Sequence, residues 1–352
     1  MSSESTELFG SCPRPMVETE RILLAHGSGG KLSAQLVEKL IVPTLQNPVL
    51  AVLDDQAVLH VAGGRIAFTT DSFVVTPLFF RGGDIGELAV NGTVNDLAMG
   101  GARPLALSLA FIIEEGFPIA ELRRVLESVN RAAERAEVSV VTGDTKVVGR
   151  GHADRLFITT SGVGVVPAGI ELGARQVRAG DAILLSGTIG DHGVAILSER
   201  EGLTFDGELA SDTAPLNGLV EAMLCASPRI HAMRDPTRGG VAATLVEIAT
   251  RQRVGMEIDE TLVPVRDTVR GACELLGLDP LLVANEGKLV AFVPEEESEA
   301  VLAAMRAHPL GREAVRIGSV SHSHAGTVVM RTAIGGQRVL DLPVGEALPR
   351  IC

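Results

Sequence analysis

Carboxylates recur where apolar runs of this chain stop. Asp54 and Asp55 follow the run 49–53, Asp71 follows 66–70, and Asp144 follows 138–142, with Asp96 inside the polar run 91–96. Acids at the ends of buried strands either shape turns or offer oxygen ligands to a hard cation such as Mg2+. A second set of residues suits anions. His26-Gly27-Ser28-Gly29-Gly30-Lys31 precedes a run with Leu32, Leu36, Val37, Leu40 and Ile41 at helical spacing, and Arg234-Asp235-Pro236-Thr237-Arg238-Gly239-Gly240 precedes another from Val241. Gly-rich turns that open helices present backbone N–H groups and the positive end of the helix dipole, as a phosphate requires. The first is neither a Walker A nor a dinucleotide fingerprint, so a plain flexible connection is its alternative. The third feature is Cys352, a thiol on the last residue of a Pro-bearing, non-periodic stretch. Such a segment reads as an extended tail, and about a dozen residues at ~3.3 Å each reach ~40 Å. The plainer reading is a chain end that happens to stop at cysteine.

The elements that must position these groups alternate. Strands are expected at 49–53, 57–61, 66–70, 105–113, 138–142 and 156–166, with helices at 84–99 and from 119. The first helix aligns Asp84, Glu87, Asn91 and Asn95 on one stripe, and two asparagines in a helix ask for a reason. Pro167-Ala168-Gly169 marks a boundary, after which strand 182–186, the helix from Asp191, an apolar run 230–233 and a helix from 241 follow. Residues 281–284 and 289–293 read as a hairpin around Asn285-Glu286-Gly287-Lys288, ahead of a charged helix 295–307 and closing strands at 315–320, 327–331 and 338–342. The division expected is a loose extension 1–18, an N-terminal domain 19–166, a C-terminal α/β domain 167–340 and a mobile tail 341–352.

Composition narrows the class. The 352 residues are 46% apolar and 21% charged, enough for two separate cores of a globular protein. All ten aromatic residues are Phe and 39 residues are Gly, so the cores rest on aliphatic packing, as α/β layering allows. A net charge of −13 argues against nucleic acid or an anionic membrane as the main partner. Cys12, Cys225, Cys273 and Cys352 form no Cys-x-x-Cys pair, so neither zinc nor a disulfide framework is suggested and a cytoplasmic setting fits.

The chain resembles the HypE family of hydrogenase maturation proteins, in the aminoimidazole ribonucleotide synthetase-like superfamily. The resemblance rests on His26 to Lys31, Asp54-Asp55-Gln56-Ala57, Thr70-Asp71-Ser72, the run from Asn91 to Gly100, Thr142-Gly143-Asp144-Thr145-Lys146-Val147, Gly190-Asp191-His192-Gly193, Asp235 to Gly240, Asn285-Glu286-Gly287 and the closing Pro349-Arg350-Ile351-Cys352. It implies a two-domain α/β fold whose N-terminal sheet pairs in a homodimer. It also implies ATP-dependent dehydration of a carbamoyl group on Cys352 to a thiocyanate, supplying cyanide for the iron of nickel-iron hydrogenase. A HypF-type carbamoyltransferase would load the cysteine and a HypC–HypD complex would receive the product. The cofactors implied are ATP and Mg2+. Asp54, Asp55, Asp71, Asp96 and Asp144 are the expected metal ligands, and His26, Gly27, Ser28, Gly29, Gly30, Asn91, Asn95, Gly143, Thr145, Asp191, Asp235 and Gly239 the expected nucleotide contacts. Cys352 is the carrier, with Glu286, alone or paired with Lys146, as candidate base. A selenophosphate synthetase would carry a reactive cysteine or selenocysteine near the first Gly-rich turn, where His26 and Ser28 stand. A nucleotide-binding adaptor docking through its tail is the non-enzymatic alternative.

Overall fold

The computed structural model describes residues 22–23, 26, 30–45, 48–205, 209–342 and 351–352. The expected contacts Gly27, Ser28 and Gly29 lie outside them.

The first helical stretch comprises α1 (Lys31–Leu36), a π turn (Val37–Ile41) and α2 (Val42–Leu45), none of whose residues is buried. The run 49–53, expected as a strand, is a 3-10 turn (Leu50–Val52) closed by Leu53 in the left-handed region at φ 57°. Among the described residues it pairs with no strand. β1 (Ala57–Val61) and β2 (Gly64–Phe73) then form a hairpin, followed by the small ribbon β3 (Phe79–Phe80) and β4 (Gly83–Asp84). Asp84 caps α3 (Ile85–Met99) by accepting from Gly86 N and Glu87 N. β5 (Arg103–Glu114), α4 (Ile119–Arg135), β6 (Ser139–Val148) and β7 (Leu156–Val166) complete the first half.

Its sheet has the order β1-β2-β7-β5-β6, with β5 and β6 parallel across the α4 crossover and the other pairs antiparallel. α4 is amphipathic and buries Val125, Val129, Ala132 and Ala133. β6 is different. It runs straight through Gly143-Asp144-Thr145-Lys146, where a strand exit was expected, and nearly all its residues are exposed. Val141 (65%) and Val147 (66%) stand open on this edge strand, and Leu105 and Ile112 are exposed on its inner neighbour β5. An edge strand of this length and polarity is a template for pairing.

The second half contains β8 (Asp181–Leu185), α5 (Asp191–Glu201), α6 (Asn217–Ala226), β9 (Ala232–Arg234), α7 (Gly240–Gln252), β10 (Gly255–Asp259), α8 (Asp267–Leu276), β11 (Val290–Pro294), α9 (Glu295–Ala307), β12 (Val315–Ser321), β13 (Val328–Arg331) and β14 (Gln337–Leu340). Their order is β14-β13-β10-β12-β8-β11-β9. The expected hairpin 281–293 does not form: residues 280–282 make a 3-10 turn, and β11 pairs with β8 and β9 instead. Residues 283–288 are thereby left as a buried loop.

That loop is held by close approach. Gly240, at φ 63°, passes the loop so tightly that a Cβ there would meet Leu281 O at 2.4 Å. One apolar core gathers α3, α4 and β5 from the first half, Val194, Ile196, Val269 and Val283 from the second, and Ile351 from the end of the chain. No helix among the described residues is long and apolar enough to cross a membrane.

Candidate active site

Asp55, Asp96 and Asp235 come from three separate places: the loop after the 3-10 turn, the body of α3 and the residue after β9. Each offers one carboxylate oxygen, and these three oxygens all lie within 4.8 Å of one another. The loop is tied down by Arg251 Nη1, which donates to Leu53 O at 3.1 Å, and Arg234 Nε stands 2.8 Å from Asp55 Oδ2 as an ion pair. Thr69 Oγ1 donates to Asp96 Oδ2 at 2.7 Å and sits 3.1 Å from Asp55 O.

Burial and mutual repulsion make this triad a poor home for three negative charges. Burial pushes Asp55 up to about 8, with Arg234 opposing and Asp235 and Asp54 adding to the rise. Asp235 is pushed up to about 6, chiefly by burial and against Arg234, while burial and then Asp235, Asp55 and Asp71 hold Asp96 well above the usual carboxylate range. An all-oxygen set of buried carboxylates, raised by each other's charge, fits Mg2+. Asp71 stands next to them, its carboxyl raised by burial and eased by Arg238. Asp54 faces away, accepting from Ala174 N at 3.4 Å.

Beside the triad lies the seat of Cys352. Glu286 is 3% exposed and its Oε1 has no hydrogen-bond partner. Burial holds its carboxyl well above the ordinary value, with Asp235, Asp212 and Asp71 adding and Arg238 opposing. The loop is fixed by Asp212 Oδ1, which accepts from Glu286 N at 3.0 Å, and by Lys288 Nζ, 3.1 Å from Asp212 Oδ2. Cys352 shares this field. Burial pushes its thiol up to about 12, against Arg238 and with Glu286, Asp71 and Asp235. The tail end, expected to be loose, is packed here: Ile351 is 3% exposed, and Val74 N donates to Cys352 O at 3.1 Å.

The two asparagines of α3 face this seam, whereas Asp84 caps the helix and Glu87 pairs with Arg135 of α4. Asn91 Nδ2 donates to Thr213 Oγ1 at 3.1 Å, leaving its buried Oδ1 without a partner. Asn95 Nδ2 reaches Ala214 O (3.1 Å) and Glu286 O (3.3 Å), while its Oδ1 accepts from Leu216 N at 2.7 Å. Asp191, in the first turn of α5, accepts from Thr188 Oγ1 at 2.6 Å and lies 3.4 Å from Arg266 Nε. Gly239 takes φ 82° at the start of α7.

Other expected residues stand apart in the protomer. Asp144 and Lys146 are about two-thirds exposed on β6 and paired with each other. Thr145 is exposed between them, and Gly143 lies against β5, where a Cβ would meet Leu109 O at 2.1 Å. His26 Nδ1 accepts from Leu23 N at 2.9 Å, and Gly30 caps α1. Sequence reasoning gave no role to Asp212, Asn285, Arg238 or His192. Asn285 Oδ1 accepts from Gly190 N (2.8 Å) and its Nδ2 donates to Pro236 O (2.9 Å), joining three of the motifs quoted above. Its neighbour Glu286 was the available signal.

Known proteins resemble this chain over most of its length. Residues 53–166 match the family model "AIR synthase related protein, N-terminal domain", and 178–331 match its C-terminal domain. The Carbamoyl dehydratase HypE of Cupriavidus necator is 56% identical over 341 residues, covering 96% of this chain and 97% of that protein. The crystal structure of a HypE–HypF complex has a TM-score of 0.83 at 47% identity, over 88% of this chain and 99% of that one. That of HypE in complex with ATP has a TM-score of 0.80 at 50% identity, over 94% and 100%. The chain belongs to the HypE family of carbamoyl dehydratases, within the AIR synthase related fold.

Proposed function

We propose that Cys352 carries a carbamoyl group on Sγ and that the chain dehydrates it, at the expense of ATP, to a thiocyanate. The observation that carries this reading is the placing of Cys352 in one electrostatic field with Glu286, Asp71, Asp235 and Arg238, next to the acid triad. An amide oxygen leaves only once it is made a good leaving group. The γ-phosphoryl of ATP passes to that oxygen, giving an O-phosphorylated imidate and ADP. Loss of phosphate and of the nitrogen-bound protons then leaves the cyano group on sulfur. Glu286 takes protons from nitrogen, its raised pKa making its carboxylate a stronger base. Arg238 lies where it balances charge gathering on the imidate. Asp55, Asp96 and Asp235 would hold Mg2+, which neutralises triphosphate charge when bound. A thiol pushed up to about 12 stays protonated in the seat, so the seat suits the neutral carbamoyl thioester and loading takes place with the tail withdrawn.

The same reading takes the active form as a homodimer joined through the open β6 edge, which would bring Asp144, Thr145 and Lys146 to the nucleotide side of the partner's site. The carbamoyl donor is a HypF-type transferase, as the HypE–HypF complex of a relative suggests. The acceptor is a HypC–HypD complex, in the cytoplasm, with the iron of nickel-iron hydrogenase as destination. ATP binding draws support from the relative solved with ATP. The test is intact mass of the Cys352 peptide from pre-carbamoylated protein. A carbamoyl mass that falls by one water only with Mg-ATP supports the reading; phosphate release without that loss sinks it. A tail-docking adaptor would give neither.

A further inference from the structure

Residues 211–213 form a short strip that touches both reacting partners. Its middle residue, Asp212, fixes Glu286 through the backbone N–H, and a Cβ on Gly287 would meet Asp212 O at 1.8 Å. Its first residue, Ser211, reaches the other side. Ser211 Oγ lies 2.8 Å from His192 Nδ1 and accepts from Thr213 N at 3.2 Å. His192 Nε2 lies 2.6 Å from Ile351 O.

The proton positions follow from the partners. A carbonyl oxygen only accepts, so Nε2 carries the hydrogen and donates to Ile351 O. The ring is fully buried, and burial lowers its pKa against the Asp212 carboxylate and the bond to Ile351, which favours the neutral ring whose Nδ1 lone pair accepts from the Ser211 hydroxyl. Phe80 stands edge-on to the ring at 5.7 Å and 86°. Thr213 in turn accepts from Asn91 of α3. The line therefore runs from α3 through the strip and the imidazole to the peptide that carries the thiol.

We propose that His192, with its tautomer set by Ser211, is the positioning residue that seats residues 351–352 and sets the reacting group on Cys352 against Glu286. The strip that orients the base also orients the latch, so base and carrier share one reference. Val74 N also donates to Cys352 O, so the segment is held from two sides and the imidazole supplies one of its polar anchors. The inference rests on Cys352 being the carrier, but its test needs no turnover.

The test is alkylation of ATP-free protein with N-ethylmaleimide, mapped by peptide mass. Cys225 is exposed and serves as reference; Cys273 is buried and reports loss of fold. His192→Ala should raise the Cys352 rate relative to Cys225 about tenfold, the weight of one buried hydrogen bond. His192→Gln keeps a donor near Nε2 and should restore the rate to within about twofold of wild type. Ser211→Ala should fall between. In single turnover of carbamoylated protein, His192→Ala should slow dehydration by a similar factor while leaving ATP affinity within about twofold. A Cys352 rate in His192→Ala equal to wild type overturns the proposal. So does His192→Gln loosening the tail as much as alanine while Cys273 stays protected. Should His192→Ala expose Cys273, the glutamine and Ser211 variants decide by the same criteria. A seated tail in protein that never loses water from its carbamoyl group would uphold the latch and remove the dehydratase reading instead.

Discussion

The buried triad and the β6 edge both carry acids, and they differ in every property that decides what an acid can do. Asp55, Asp96 and Asp235 are held in low dielectric with one guanidinium among them, and their carboxyls are raised. Asp144 lies in solvent, paired with Lys146, and its carboxyl is lowered by that lysine and by Thr145 N–H. The first group stores unfavourable charge that a cation would relieve. The second already has its charge balanced in solvent, and on the reading proposed above it serves only when a second copy covers the edge. Burial, more than residue type, separates a ready site from a half-site.

The largest effect should come from the buried side. Glu286→Gln removes the base and should lower single-turnover dehydration by about 10²–10⁴-fold, measured as thiocyanate mass on the Cys352 peptide. A loss under about threefold would move the base elsewhere. Next is a test of the edge: Glu286→Gln and Lys146→Ala chains, each inactive, are mixed after mild dissociation. If Lys146 serves the partner's site, statistical pairing restores about a quarter of wild-type activity; no recovery would put both residues in one protomer's site or deny the pairing.

The third prediction concerns stability. Asp96 has its folded pKa raised above 3.8, so ionising it costs the folded state, a cost absent below that pH and growing as pH rises toward the folded value. Asp96→Asn should therefore raise the melting temperature of Mg2+-free protein by roughly 2–4 °C at neutral pH, with the gain vanishing in acid, while turnover falls. A gain that persists below pH 3.8 would mean that charge is not its source. The smallest effect is expected of Cys225→Ser, within about 0.5 kcal/mol of wild type in denaturant unfolding, because this thiol is exposed.

Legibility in the sequence followed locality. α4 announced itself by spacing because one face is buried and the other wet. α3 was legible as a helix over 84–99, but which neighbours its two asparagines face was not, because the helix is buried almost all round and carries no one-sided pattern. The run 281–293 has the apolar flanks and Asn-x-Gly turn of a hairpin, yet β11 finds its partners in β8 and β9, which local pattern cannot foretell. Asp55 and Asp96 were readable as candidate ligands from their neighbours. That Asp235 joins them depends on the approach of two halves far apart in the chain. His192 was visible as part of a motif, but its bond to Ile351 spans 159 positions.

Asn95 has a consequence for how a working cycle can be built. Its amide spends both ends on the opposite half of the molecule, bonding two carbonyls and one N–H in a place water does not enter. Swinging the halves apart would strand those groups dry, each at a cost of about 1–3 kcal/mol. Jaw-like opening is thus the expensive route to exchange reactant and product. Sliding a thin peptide out of a wall that stays shut releases the bonds to His192 and Val74 and leaves that seam intact. Turnover in such a machine behaves less like a mouth closing on food than like a drawer being pulled.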